Sequence, residues 1–295
     1  MSDIKPPVIG APITFKPPVI APPKSAIMAG GGKFRLGGGN PEILGFEPIP
    51  RGNKKSSLFL IIVGRAGSGK NSLAYSAVEE GPVLDISVLE RGTEGDDYMQ
   101  QYTSRDIKRK VFTIDDKDPL NPIEASRIWD EFQKIMFALY GFQGTIVVNT
   151  IDEIYDLGRV ATMPDKSMRR DYGAINRPMN DMLGYFQRVD CPTNLILISK
   201  GVDYWVKGEN TGLMAYKGFP NAEFMSDCMV SMNKKTMVEP DASDKKAKGM
   251  VLLPIEKRFS CTIMRAPAAI KHEGTTLYGS DITFKEIKKR VLPVV

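Results

Sequence analysis

The chain has a single histidine, His272, and only three cysteines, Cys191, Cys228 and Cys261, among its 295 residues. One imidazole excludes His-rich metal centres, and a Ser-His-Asp triad would have no other base to use. Three scattered thiols make no closed disulfide framework. They are expected to be reduced and buried as small apolar groups, in a cytoplasmic setting. Apolar runs are short, and none approaches the roughly 18 residues needed to span a bilayer, so no membrane span is expected. The first residues also lack the apolar core of a secretory signal. Strong net charge is missing too. A value of +5 permits contact with nucleic acid without arguing for it, because a basic footprint must also be clustered.

Against these absences, a hydrophobic fraction of 42% and a charged fraction of 25% are those of a soluble globular protein. Residues 1–53 depart from that composition. The stretch from Lys5 to Pro12 recurs imperfectly from Lys16 to Pro22, and glycine triplets follow at Gly30 to Gly32 and Gly37 to Gly39. Proline removes N–H donors and pushes its predecessor toward extended backbone, so polyproline II or disorder is expected there. Such a tail is either a solvated leader or a docking arm for a protein partner. The rest, 54–295, is expected to be one folded domain.

That domain is organised around one motif. Leu58 to Val63 are apolar, and Gly64, Arg65, Ala66, Gly67, Ser68, Gly69 and Lys70 follow. This is the G-x-x-x-x-G-K phosphate loop, placed after a buried strand and before a helix. Its glycines turn successive backbone N–H groups around an anion, and the helix start and Lys70 add positive charge. The next residue should carry a hydroxyl for Mg²⁺. It is Asn71. Ser72 cannot substitute, because one helical step turns it about 100° away.

Further along, apolar runs and helical stripes alternate. A helix is expected over Ser72 to Glu79 and strands at Val83 to Leu89 and Val111 to Ile114. Asn121 and Pro122 begin a helix reaching about Tyr140, with Ile128, Trp129, Phe132, Ile135, Met136 and Leu139 as its core stripe. Thr145 to Val148 is a strand and Ile151 to Val160 a helix. A second stripe runs from Tyr172 to Phe186, its helix entered at Pro178, and Asn194 to Ser199 is a core strand. Gly201 to Phe219 is expected to be a loop. Asp227 to Val238, Met250 to Glu256 and Phe259 to Arg265 are read as antiparallel strands, and Ile282 to Val291 closes the chain as a helix or a strand–helix. The fold class is therefore α/β, a three-layer sandwich with a mostly parallel sheet and antiparallel C-terminal strands.

Several side chains are candidates for chemistry. Asn149, after the apolar Thr145 to Val148, stands where an Asp would order Mg²⁺. Asp152 and Glu153 lie one helical turn later; they either replace that Asp or form only the acidic first turn of a helix. Both magnesium positions, Asn71 and Asn149, are thus neutral amides. Glu90 is the candidate for polarising an attacking water, and Ser199 and Lys200 for sensing the γ-phosphate. For single-stranded nucleic acid, basic Arg169 and Arg170 join Tyr204, Trp205, Lys207 and Lys217, which mix stacking rings with cations.

Together these features resemble the compact RecA-core ATPases of bacteriophages and related viruses, a group that includes single-strand annealing recombinases. The resemblance covers roughly Lys54 to Val295. It rests on Gly64 to Lys70, Leu89 to Gly92, Val147 to Asp152, and Asp171 to Gly173. It implies a RecA-like fold, ATP with Mg²⁺ as ligands, single-stranded DNA as partner, and assembly into a ring or filament in the host cytoplasm. Lys257, Arg258 or Arg265 would then reach a neighbour's phosphate. The family's Ser or Thr at Asn71 and Asp at Asn149 are both missing here. Weak hydrolysis is the expectation, with a non-catalytic regulatory subunit as the alternative and a packaging or helicase motor as a third reading.

Overall fold

The computed structural model describes residues 55–88, 106–113, 121–163, 173–206, 209–238 and 251–292. Outside them lie the Pro/Gly-rich segment, Glu90 and its strand end, Asp171 and Tyr172, Arg169, Arg170 and Lys207, and the lysine-rich connection 239–249.

Among the described residues, eight strands form one sheet in the order β12-β11-β8-β1-β5-β4-β2-β3. Strand β1 (Phe59–Gly64) lies between β5 (Asn194–Ser199) and β8 (Cys228–Lys234), parallel to both. Strand β4 (Thr145–Asn149) joins β5 to β2 (Val83–Val88), and β3 (Ile107–Phe112) pairs with β2, all parallel. On the other flank, β11 (Phe259–Arg265) runs antiparallel to β8, and β12 (Thr276–Tyr278) antiparallel to β11. The continuous apolar runs of β1 and β5 are the signature of parallel strands covered on both faces, and every residue of both is buried.

Alternation along the strands divides the core in two. Phe59, Ile61 and Val63 face helices α2 (Pro122–Ala138), α3 (Ile151–Thr162) and α4 (Gly173–Gly184). Leu58, Leu60 and Ile62 face α1 (Lys70–Tyr75) and the C-terminal helix Phe284–Val291. This is the three-layer α/β arrangement expected of a RecA-like phosphate-loop core. Helix α2 begins as anticipated: the Asn121 side chain accepts from the Ile123 N–H at 2.9 Å, with Pro122 at the first helical position. Trp129 is buried in the stripe. The C-terminal helix is N-capped by Thr283, whose hydroxyl accepts from the Glu286 N–H.

Several expectations are corrected, among them the strand read at Met250 to Glu256: only β10 (Val251–Leu252) forms there, paired with β9 (Met237–Val238), and a helical turn, Ile255–Arg258, follows. Helix α1 ends at Tyr75 and tightens into a 3₁₀ segment, Ser76–Glu80, before Gly81. Helix α4 is already formed at Gly173, so Pro178 lies inside it; burial of Ile175, Met179, Met182 and Leu183 outweighs the missing donor. Strand β8 is antiparallel to β11 as expected but parallel to β1 on its other side, and a short helix, α5 (Pro220–Met225), precedes it. The stretch after Ser199 is not a loop. It is a hairpin of β6 (Val202–Val206) and β7 (Glu209–Ala215). Gly201 makes the turn into it with φ +64, and a Cβ there would lie 2.8 Å from the Ala215 carbonyl oxygen. Only glycine fits both conditions.

Candidate nucleotide-binding site

The phosphate loop leaves the carboxyl end of β1, at the centre of the sheet. Gly64 has no room for a side chain: a Cβ would stand 2.6 Å from both the Met232 carbonyl oxygen and Ser68 Oγ. Gly67 and Gly69 take the left-handed region, with φ 71 and 90. The Ser68 N–H donates to the Arg65 carbonyl at 3.2 Å, and the Leu73 N–H to that of Gly69 at 3.1 Å. Lys70 is buried at 8% exposure. Its ammonium donates to the carbonyls of Gly64 at 2.7 Å and Arg65 at 2.9 Å, so the charge sits within the curve of the loop. Arg65 projects outward and pairs with Asp203 of the hairpin at 2.6 Å.

Asn149 ends β4 fully buried. Val147, two residues earlier, packs in the cluster that holds Leu73 and Tyr75, so alternation puts Asn149 on the face carrying α1. Asn71 is half-buried in the first turn of α1. The two amides therefore share the phosphate-loop side of the sheet. Ser199 belongs to the opposite face, with Leu195 and Leu197. Its hydroxyl donates to both Asp152 oxygens, at 2.9 and 3.1 Å, and the Lys200 N–H adds a bond at 2.7 Å. The Lys200 ammonium pairs with Glu153. Burial pushes the Asp152 carboxyl above the ordinary carboxylate range, and the donors from Lys200 and Ser199 pull it part of the way back. Asp152 thus ties the start of α3 to the end of β5.

Tyr204 and Trp205 lie on β6, 40% and 58% exposed, and Lys217 is exposed beyond β7. The structure separates the three cations considered for a neighbour's phosphate. Arg258 donates to the Leu253 carbonyl and Arg265 to those of Glu223 and Ser226, whereas Lys257 is exposed. Sequence reasoning missed the link between Arg65 and Asp203. It also missed a buried network in which Tyr75, Ser87 and Arg109 converge on Asp85 at 2.7, 2.9 and 3.0 Å. A carboxylate in the middle of an apolar strand was the available signal for the latter. The cysteines are buried free thiols, with Cys228 and Cys261 pushed up by desolvation.

No family model matches the chain, and no curated protein does. Among solved structures, the chain is similar to an ATPase from the type III secretion system of pathogenic bacteria, with a TM-score of 0.40 and 12% identity. The match covers 59% of this chain and 50% of that one, so the chain spans about half the length of the protein it matches. No described helix is long and apolar enough to cross a membrane.

Proposed function

We propose that the chain is an ATP-binding protein of the bacteriophage RecA-core kind that it resembles, slow in hydrolysis and acting on single-stranded DNA. The observation that carries nucleotide binding is the loop itself: left-handed Gly67 and Gly69, a Gly64 without room for Cβ, and a buried Lys70. An anion in that curve accepts from backbone N–H groups and from Lys70, whose ammonium exchanges its two carbonyl acceptors for phosphate oxygens. The loop fits a triphosphate. The donor set does not fit a protein-held Mg²⁺, which prefers anionic, hydroxyl or water oxygens. Asn71 and Asn149 are neutral, and both oxygens of Asp152 already accept hydrogen bonds.

Lys70→Ala tests the central reading. Charge-assisted hydrogen bonds are worth about 1.5–3 kcal/mol each, so ATP affinity in a calorimetric titration should fall by about 10–100-fold. Unchanged affinity in a folded variant overturns nucleotide binding at this loop. The DNA part is supported by exposed Tyr204 and Trp205 on β6 and by an exposed Lys217 beyond β7. The same neutral amides favour a second reading, a non-catalytic nucleotide-binding subunit. ATP binding with neither hydrolysis nor oligonucleotide binding would select it.

A further inference from the structure

A cavity of about 410 Å³ lies between the outer side of the phosphate loop and the β6–β7 hairpin. That is within the size range of small-molecule sites. Three elements wall it: Arg65 and Ser68 from the loop, Asp203 and Met214 from the hairpin, and Met232 and Asn233 from the end of β8. Its chemistry is specific in two ways. Two thioethers, Met214 and Met232, offer the polarisable surface that aromatic rings pack against. The amide of Asn233 and the carboxylate of Asp203 supply both donors and acceptors for a heterocycle's edge. A further observation points to a ligand. Ser68 is only 2% exposed, and among the described residues its hydroxyl has no hydrogen-bond partner, although buried hydroxyls are nearly always satisfied.

The cavity shares a wall with the loop that holds Lys70. We propose that it receives the nucleoside of the nucleotide whose phosphates occupy the loop, with the two methionines against the base and Ser68 bonded to the ligand. The proposal rests on the nucleotide-binding reading and adds to it the subsite for base and sugar. It also makes the hairpin a wall of the nucleotide site. Asp203 is held to the loop by Arg65, and Asn210, which lines the cavity, pairs in register with Trp205 on β6. Occupancy of the cavity therefore reaches the exposed face that carries Trp205.

The chain has two tryptophans, and Trp129 is buried in α2, away from the hairpin's exposed surface, so the emission of Trp205 is a local reporter. The full chain is titrated with ATP and, separately, with inorganic tripolyphosphate, which has the phosphates and no nucleoside. Burial of a base and sugar is expected to make ATP bind at least about tenfold more tightly than tripolyphosphate. ATP should also change tryptophan emission in the parent chain and not in Trp205→Phe. Asp203→Ala should narrow the preference for ATP over tripolyphosphate. Equal affinities for the two ligands overturn the nucleoside subsite and leave the phosphate loop standing. Failure of both to bind overturns the phosphate-loop reading and the subsite with it.

Discussion

At the scale of single residues, the proposed slow hydrolysis turns on two asparagines, Asn71 and Asn149. A carboxamide oxygen carries no net charge, and the Asn71 side chain is one atom longer than that of Ser. Restoring the ordinary ligands in Asn71→Thr with Asn149→Asp is expected to raise steady-state phosphate release from ATP several-fold, on the order of a kcal/mol of barrier. No gain in the double variant would show that the amides do not limit turnover. Rapid turnover by the parent chain would remove the premise. Asp152 supports a different prediction. Its pKa is raised in the folded state, mainly by burial, so between the unfolded and folded values the native state holds more protons. The protonated carboxyl is the form favoured by folding. Its contribution is present below the unfolded pKa and lost as pH rises through the folded one. Thermal melts should therefore show Asp152→Asn gaining on the parent chain as pH rises through that window. A difference independent of pH would mean that the carboxyl titrates normally.

At the scale of elements, legibility followed burial on both faces. Strands β1, β4 and β5 read directly from their continuous apolar runs, and the stripe of α2 from its spacing, because nothing else explains such patterns. Two elements that differ from expectation, β3 and the β6–β7 hairpin, have a face or edge in water. Strand β3 begins at Ile107, four residues earlier than expected, since Lys108, Arg109 and Lys110 hide its alternation. Charged side chains on an edge strand are a common guard against further pairing. The β6–β7 hairpin was hidden in the same way, its aromatic residues pointing outward. Its register depends on Gly201. Gly201→Ala would need a left-handed alanine and a contact of 2.8 Å with the Ala215 carbonyl, and should cost about 1–2 kcal/mol. The loss should appear in chemical denaturation, with faster amide exchange across β6 and β7 than across β1. Equal protection would show that the hairpin does not depend on that turn.

At the scale of the whole molecule, the sheet order explains why one motif predicted so much. Placing β1 between β5 and β8 puts the phosphate loop at the sheet's centre, with the Asp152 cluster at the end of β5 and the cavity at the end of β8. Sequence reasoning reached the loop because its glycines must lie in order along the chain. It could not reach Asp203 or Met232, which meet the loop only after the sheet has assembled. The same arrangement brings the hairpin's exposed rings to the phosphate-loop end of the domain. A net charge of +5 does not by itself argue for DNA binding, so the proposed single-strand affinity is assigned mainly to stacking by Tyr204 and Trp205. Each stacked base is worth about 1–3 kcal/mol, and Tyr204→Ala with Trp205→Ala should weaken oligonucleotide binding by at least about tenfold at low salt. Phosphate contacts behave differently. Lys217→Ala should lower the slope of log affinity against log salt by roughly one contact's share, about 0.7, with less effect on affinity at a fixed low salt than loss of the rings. Fluorescence anisotropy of a labelled homopolymer with ATP present measures both quantities. Absence of binding at low salt would rule out DNA as the partner, and a ring-deficient variant that binds normally would move the contact away from the hairpin.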